Sequence, residues 1–265
     1  MRYGLNVPNF GDFADVRMLA DLAAAAEHGG WDGFFIWDHI AIGPPTADVT
    51  VALSAIAGAT TRVRFGALVT PLPRRCVQKV AREIVSLDHL SHGRVVLGVG
   101  LGYPPDTEYE AFGERAGDRE RAQHLDESLA VLTALWSGAP VDFDGEVLHV
   151  HTAGFTPMPL QQPRVPIWVA GAWPRAHNTV RRAARFDGFY PMPSDLTTRF
   201  HLLPDEIRAV RAAVGRDDDF ELIATAPADG DPAAYADAGA TWWIQVGADE
   251  QDAFRRAKAG PPRSK

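Results

Sequence analysis

The chain has 265 residues, 46% of them hydrophobic and 23% charged, with a formal net charge of −8 at pH 7 and one cysteine, Cys76. About 250 residues is the usual size of a single (β/α)8 barrel, and a core of this size holds without disulfides, which a lone cysteine excludes within the chain. The acidic balance argues against nucleic acid, no apolar run is long enough to span a membrane, and no signal peptide is legible, so the cytoplasm is the expected compartment.

Apolar runs bounded by turn residues predict strands, and apolar residues at helical spacing predict helices. In chain order, a strand over 3–7 leads to a helix over 14–28, which stops at Gly29-Gly30. Strand 33–37 precedes helix 49–59, strand 63–69 precedes helix 75–90, and strand 94–99 precedes helix 118–136. The second half pairs strand 166–170 with helix 175–185, 188–190 with 204–214, 220–225 with 232–238, and 242–246 with 250–259. Strict alternation implies parallel strands joined by crossovers. Eight such units point to an α/β fold, a closed (β/α)8 TIM barrel, with an open doubly wound sheet as the alternative. One domain over 1–260 and a flexible tail over 261–265 are expected. The loop 100–117 is rich in Gly, Pro and acidic residues, and 137–166 forms an insertion between the fourth helix and the fifth strand. Within that insertion, 141–150 reads as a hairpin turning at Asp144-Gly145.

Barrels of this kind place catalytic groups at the carboxyl ends of strands. The first strand delivers Asn6 there, and Asp38-His39 follows the second. His39 offers the side chain that titrates nearest neutrality, although a capping Asp followed by an exposed His would read the same. Gly98-Val99-Gly100-Leu101-Gly102 would let backbone approach a ligand closely, or form a plain turn. It lacks both the GxGxxG spacing and a P-loop lysine. Gly171-Ala172-Trp173-Pro174 could present backbone N–H groups to an anion at a helix start, or simply turn the chain. His149-Val150-His151 puts two imidazoles on one face of a strand, but no matched acidic motif accompanies it, so no metal is expected.

Together these segments resemble the bacterial-luciferase-like, flavin-dependent oxidoreductases. The resemblance rests on Tyr3-Gly4-Leu5-Asn6-Val7-Pro8, on Gly33-Phe34-Phe35-Ile36-Trp37-Asp38-His39, and above all on Arg64-Phe65-Gly66-Ala67-Leu68-Val69-Thr70-Pro71-Leu72-Pro73. It continues through Ala81-Arg82-Glu83, Leu87-Asp88, Ser91-His92-Gly93-Arg94, the glycine-rich Gly98–Gly102 stretch, and Thr156-Pro157-Met158-Pro159-Leu160-Gln161 up to Gly171. Residues 1 to about 190 carry it.

The resemblance implies FMN or the deazaflavin coenzyme F-420 at the barrel mouth. It also implies a non-proline cis peptide at Ala67–Leu68 supporting one ring face. It assigns Asn6 and Asp38 to the ring pocket, His39 to acid/base chemistry, and Gly100, Leu101 and Gly102 to the cofactor tail. Gly171, Ala172 and Trp173 would hold its phosphate, and His124 would line the same pocket. Deazaflavin-using sugar-phosphate dehydrogenases of the family carry a glutamate where this chain has Tyr103, so their reaction is not carried over. The implied activity is hydride transfer to or from a small organic substrate, or its oxygenation; the one protein partner considered is a second copy of the chain, as a homodimer. A metal-dependent hydrolase on the same fold and a catalytically silent ligand-binding barrel are the rival readings.

Overall fold

The computed structural model describes residues 1–262 apart from 175–176, 217–218, 226, 228–229 and 248. Its strands are short and nearly all buried on both faces, as parallel strands under a helical layer must be. They are β1 (Arg2–Val7), β2 (Gly33–Ile36), β3 (Arg64–Ala67), β4 (Thr70–Pro71), β5 (Leu97–Gly100), the hairpin pair β6 (Val141–Asp144) and β7 (His149–Thr152), β8 (Ile167–Trp173), β9 (Gly188–Pro193), β10 (Glu221–Thr225) and β11 (Trp242–Val246). Apart from the hairpin they form one sheet in the order β3-β2-β1-β11-β10-β9-β8-β5-β4, parallel throughout. A parallel bridge between Phe65 and Val95 joins its ends, and the Val96 N–H donates to the Phe65 carbonyl at 2.8 Å. β3 and β4 are two halves of one stave, so the closed barrel has eight.

The helices are α1 (Val16–His28), α2 (Val49–Ala59), α3 (Val77–Ser91), α4 (Pro105–Glu108), α5 (Asp118–Trp136), α6 (His177–Ala183), α7 (Pro204–Val214), α8 (Pro232–Asp237) and α9 (Glu250–Ala259). Capping fixes several starts. The Asp15 carboxylate accepts the Arg17 N–H at 2.8 Å and that of Asp48 accepts the Val51 N–H at 2.9 Å. No helix among the described residues is long and apolar enough to cross a membrane.

Two apolar layers result. Leu, Val and Ala from both strands and helices fill the outer one. The barrel interior holds Phe35, Leu68, Val96, Trp168, Tyr190, Ile223, Trp242 and Ile244. Its amino-terminal end is sealed by Glu221, which is buried and accepts from Trp168 Nε1 at 2.8 Å, Trp242 Nε1 at 3.1 Å, Arg64 Nη1 at 3.1 Å, and Arg2. A buried carboxylate costs several kcal/mol unless it is fully paired in this way. With this end closed, the opening lies at the carboxyl ends of the strands.

Several expectations need correction. The non-proline cis peptide is Leu68–Val69, one residue beyond the expected bond. The reason is that the Leu68 N–H still donates to the Ile36 carbonyl at 2.8 Å, so the ladder runs one residue further before the chain turns. Strand 166–170 extends to Trp173, because β8 stays paired with β9 as far as Trp173 and Pro193. Gly171, Ala172 and Trp173 are therefore strand residues and not a turn before a helix. The helix expected over 175–185 is seen as α6, and 175–176 lie outside the described residues. The hairpin turn is longer than read: Asp144 pairs with His149, and the Gly145 N–H donates to the Leu148 carbonyl at 2.8 Å. The loop 100–117 contains α4 and a 3-10 turn at Glu110–Phe112. Of the expected tail, 263–265 lie outside the described residues.

Two motif segments prove to be braces. Asp88 is fully buried at the end of α3 and accepts the Leu160 N–H at 2.6 Å, the Gln161 N–H at 3.0 Å and Gln161 Nε2 at 2.8 Å. It pins the segment that leads into β8. Arg94 donates to Ala57 O, Thr60 O and Val63 O at 2.9, 2.9 and 3.1 Å, tying the end of α2 to the approach to β5.

Candidate active site

Asn6, one residue before the end of β1, lies inside the barrel mouth, 1% exposed, and neither its Oδ1 nor its Nδ2 has a hydrogen bond of full geometry. It lies beside the Tyr190 hydroxyl, which in turn shares a 2.7 Å hydrogen bond with Thr225 Oγ1. Burial pushes the Tyr190 phenol above its ordinary value. A buried amide left without any partner would cost about 1–3 kcal/mol, and Tyr190 is the polar neighbour that Asn6 has here.

Leu68 and Val69 form an apolar wall there with Ala170 and Met192. β5 has no side chains at Gly98 and Gly100: a Cβ at Gly100 would stand 2.8 Å from Val69 Cγ2, and one at Gly98 would stand 2.4 Å from the Ala67 carbonyl oxygen. The bare backbone lets the Leu68–Val69 turn lie flush against β5. Ala67 belongs to the outer layer, so its side chain is not part of this wall. Leu101 and Gly102 are fixed from behind. The Leu101 carbonyl accepts from the Tyr109 hydroxyl at 2.7 Å and Arg121 Nη1 at 3.1 Å, and the Gly102 carbonyl accepts from Arg121 at 2.7 Å.

His39 follows β2 and is held at three points. Asn9 Nδ2 donates to the His39 carbonyl at 2.9 Å, and the His39 N–H donates to Asn9 Oδ1 at 3.1 Å. The imidazole Nδ1 lies 3.3 Å from Glu108 Oε1, which leaves Nε2 as the free nitrogen. Phe10 and Trp37 flank the ring at 5.4 and 5.9 Å. Burial pushes the imidazole below its ordinary pKa, and the neighbouring Glu108 carboxylate opposes this.

Glu108 is completely buried at the end of α4. Besides His39 it accepts the N–H groups of Ile40 and Ala41 and pairs with Arg74. Arg74, its side chain 2% exposed, reaches the other way to Asp38, donating to the backbone carbonyl at 2.6 Å and to Oδ1 at 2.9 Å. Arg75 closes the chain at 3.3 Å from Asp38 Oδ2 and 3.1 Å from Glu83 Oε2. Burial drives the Asp38 carboxyl up, against the pull of Arg75 and Arg74. Both carboxylate oxygens of Asp38 are thus engaged by the two arginines.

Of the other expected site residues, Gly171 faces outward, where a Cβ would strike Thr179 Cγ2 at 2.2 Å, and Trp173 packs on the outer layer. Ala172 shares the inner face with Ala170. His124, on α5, lies half-buried in a 590 Å³ cleft with Arg74, Arg75 and Arg121, whose lining does not include His39. A second cleft, of 490 Å³, opens between α5 and α6 beside Leu101, with Arg119, Arg181 and Arg185 around it. Asn9, Arg74, Arg75, Glu108 and Tyr190 were not assigned roles by the sequence. The Arg74-Arg75 pair after Pro73 was the visible signal; nothing local announces that Glu108 reaches back 69 residues to His39.

The family described as Luciferase-like monooxygenase matches residues 1–264. A relative from Gordonia bronchialis, named as an F-420-dependent glucose-6-phosphate dehydrogenase, is 32% identical over 181 residues, covering 66% of this chain and 52% of its own length. Among solved structures, an F-420-dependent secondary alcohol dehydrogenase in complex with an F-420–acetone adduct superposes with a TM-score of 0.76 at 17% identity, covering 98% of both chains. The oxygenating constituent of 3,6-diketocamphane monooxygenase from Pseudomonas putida, in complex with FMN, superposes with a TM-score of 0.65 at 18% identity, covering 92% of this chain and 66% of that one. At such identities the two structures establish the fold.

Proposed function

The chain belongs to the luciferase-like monooxygenase family, and from that premise we propose that it is an oxidoreductase working with FMN or coenzyme F-420 at the barrel mouth. The observation that carries this reading is Asn6, a polar side chain buried beside the Tyr190 hydroxyl at the open end of the barrel. Asn6, Leu68 and Val69, with the Gly100–Gly102 backbone, would hold the ring system. When bound, the cofactor supplies hydride chemistry, and reduced FMN adds reactivity towards oxygen. Of the two, F-420 fits better. Its acidic tail matches the cleft beside Leu101, where Arg119, Arg181 and Arg185 make no ion pair among the described residues, while the acids that also line it are engaged elsewhere, Asp126 by Arg182 and Glu127 by the N–H groups of 146–148. That cleft takes over the role first assigned to Gly171, Ala172 and Trp173.

His39 is the proton-handling group. With Nδ1–H donated to Glu108, Nε2 carries a lone pair, and its depressed pKa keeps it neutral near pH 7. Nε2 takes a proton from a substrate group being oxidised, or returns one in the reverse direction. Glu108 stabilises the charged ring, and Arg74 and the two backbone N–H groups fix Glu108. The Gordonia relative's sugar-phosphate activity is not carried over, because Tyr103 stands where that class has its glutamate and is 62% exposed.

The pH profile tests this arrangement. A neutral Nε2 is required, so turnover falls as the pH drops through the His39 pKa. Glu108 raises that pKa, so Glu108→Gln moves the acidic limb to lower pH and reduces kcat by about tenfold or more. An unshifted limb with unchanged kcat would remove Glu108 from the mechanism.

A further inference from the structure

The loop over 194–203 joins β9 to α7 at the open end of the barrel. In the closed barrel β9 stands four staves from β2 in either direction, which is diametrically opposite. Phe200 on this loop nonetheless stacks on Trp37, the first residue after β2, with ring centroids 6.4 Å apart and planes 8° from parallel. A contact between loops from opposite staves crosses the mouth, so the two rings roof part of it. Both ends of the contact are anchored. The Trp37 N–H donates to the Val7 carbonyl at 3.0 Å. On either side of Phe200, Arg199 pairs with Glu206 at 2.6 Å, and the carbonyl of buried Leu202 accepts from the Tyr235 hydroxyl at 2.8 Å.

The roof is aromatic and leads to His39. Phe10 lies 5.8 Å from Trp37, and both rings border the imidazole. Phe200 is 48% exposed, as is Ile40 next to His39, so the fold leaves apolar surface open beside the proton-handling group. The nearby cations are already committed. Arg74 bridges Asp38 and Glu108, Arg75 bridges Asp38 and Glu83, and Arg199 holds Glu206. An anionic group would find none of these three free.

We propose that the substrate is an uncharged alcohol with a flat aromatic body, which packs its ring against Phe10, Trp37 and Phe200 and donates its hydroxyl hydrogen bond to His39 Nε2. This rests on the reading of His39 as the proton-handling group. With Nδ1–H given to Glu108, a neutral Nε2 accepts and cannot donate, so it suits a hydroxyl and not a carboxylate or a phosphate. Aromatic rings add attraction beyond the area they bury, which favours a ring over an aliphatic chain of equal size. Phe200 lies outside the residues assigned to the cofactor, Asn6, Leu68, Val69 and the Gly100–Gly102 backbone. It is therefore a specificity-determining residue for the substrate alone.

The test is a ligand-detected NMR titration of the full chain, with F-420 and again without it, using 1-phenylethanol, benzoate and glucose 6-phosphate as probes. 1-Phenylethanol should bind at about millimolar concentration or below, and the two anions at least about tenfold more weakly. Phe200→Ala should weaken 1-phenylethanol by about fivefold, and Phe200→Tyr should keep the wild-type affinity. Both variants should keep the wild-type melting temperature and F-420 affinity, which a merely structural role would not allow. No binding of 1-phenylethanol in either condition, an anion that binds as tightly, or a Phe200→Ala variant that binds like the wild type would overturn the proposal. Failure to bind F-420 or FMN strikes the cofactor reading instead, and the titration without cofactor still decides this one.

Discussion

Arg74→Met lowers stability by about 3–5 kcal/mol, the usual result of removing one partner from a buried ion pair. In a chain of this size that corresponds to a melting-temperature drop of roughly 10 °C. Among the described residues Arg74 is the single cation that touches both buried carboxylates at the site, Asp38 and Glu108. Without it Asp38 keeps Arg75, but Glu108 is left with backbone N–H groups and a neutral imidazole. Adding Glu108→Gln to Arg74→Met should therefore recover part of the loss, because it removes the stranded charge. Arg74→Lys should recover little, since one ammonium cannot span both carboxylates as a guanidinium fork does. Thermal unfolding of the three variants checks the set. A shift below about 2 °C for Arg74→Met would show that the arginine is replaceable by solvent.

His39→Ala gives the opposite pattern, with activity lost and fold kept. Turnover should fall by about 100-fold or more, the ordinary contribution of a positioned acid/base group. The melting temperature should change little, because the Glu108 charge remains held by Arg74, Ile40 N–H and Ala41 N–H. Cofactor affinity should also persist, since Asn6 and the Leu68–Val69 wall are untouched. Steady-state kinetics with any substrate the enzyme turns over reads the outcome. An unchanged kcat would return His39 to the role of a loop residue packed between Phe10 and Trp37.

The contrast between these two residues shows what a sequence carries and what it hides. The barrel was legible because parallel strands buried on both faces leave compact apolar runs, and the helices between them end at caps and glycines. The placement of His39 after β2 and of Asn6 near the end of β1 was legible because barrel geometry sends strand ends to the mouth. Arg74 and Glu108 were not, because their pairing depends on how a 3-10 turn and a four-residue helix meet in space. The register at Leu68–Val69 slipped by one because a single ladder bond, Leu68 N–H to Ile36 O, decides where the stave breaks. Gly171 to Trp173 was misread because pairing partners on β9, not local residues, keep that segment extended.

Asn6→Leu tests the central claim most directly, because it separates binding from folding. The wild-type amide is buried beside Tyr190 with no protein partner of full hydrogen-bond geometry. Replacing it with an apolar group of similar size should leave the melting temperature of the cofactor-free protein equal or higher. In the same protein, fluorescence titration should show affinity for F-420 reduced by about tenfold, the equivalent of roughly 1.4 kcal/mol of lost hydrogen bonding. The wild type should bind one equivalent of F-420, more tightly than FMN. Failure of the wild type to bind either cofactor, or an Asn6→Leu variant that binds as tightly as the wild type, would contradict the assignment of the barrel mouth as the cofactor site.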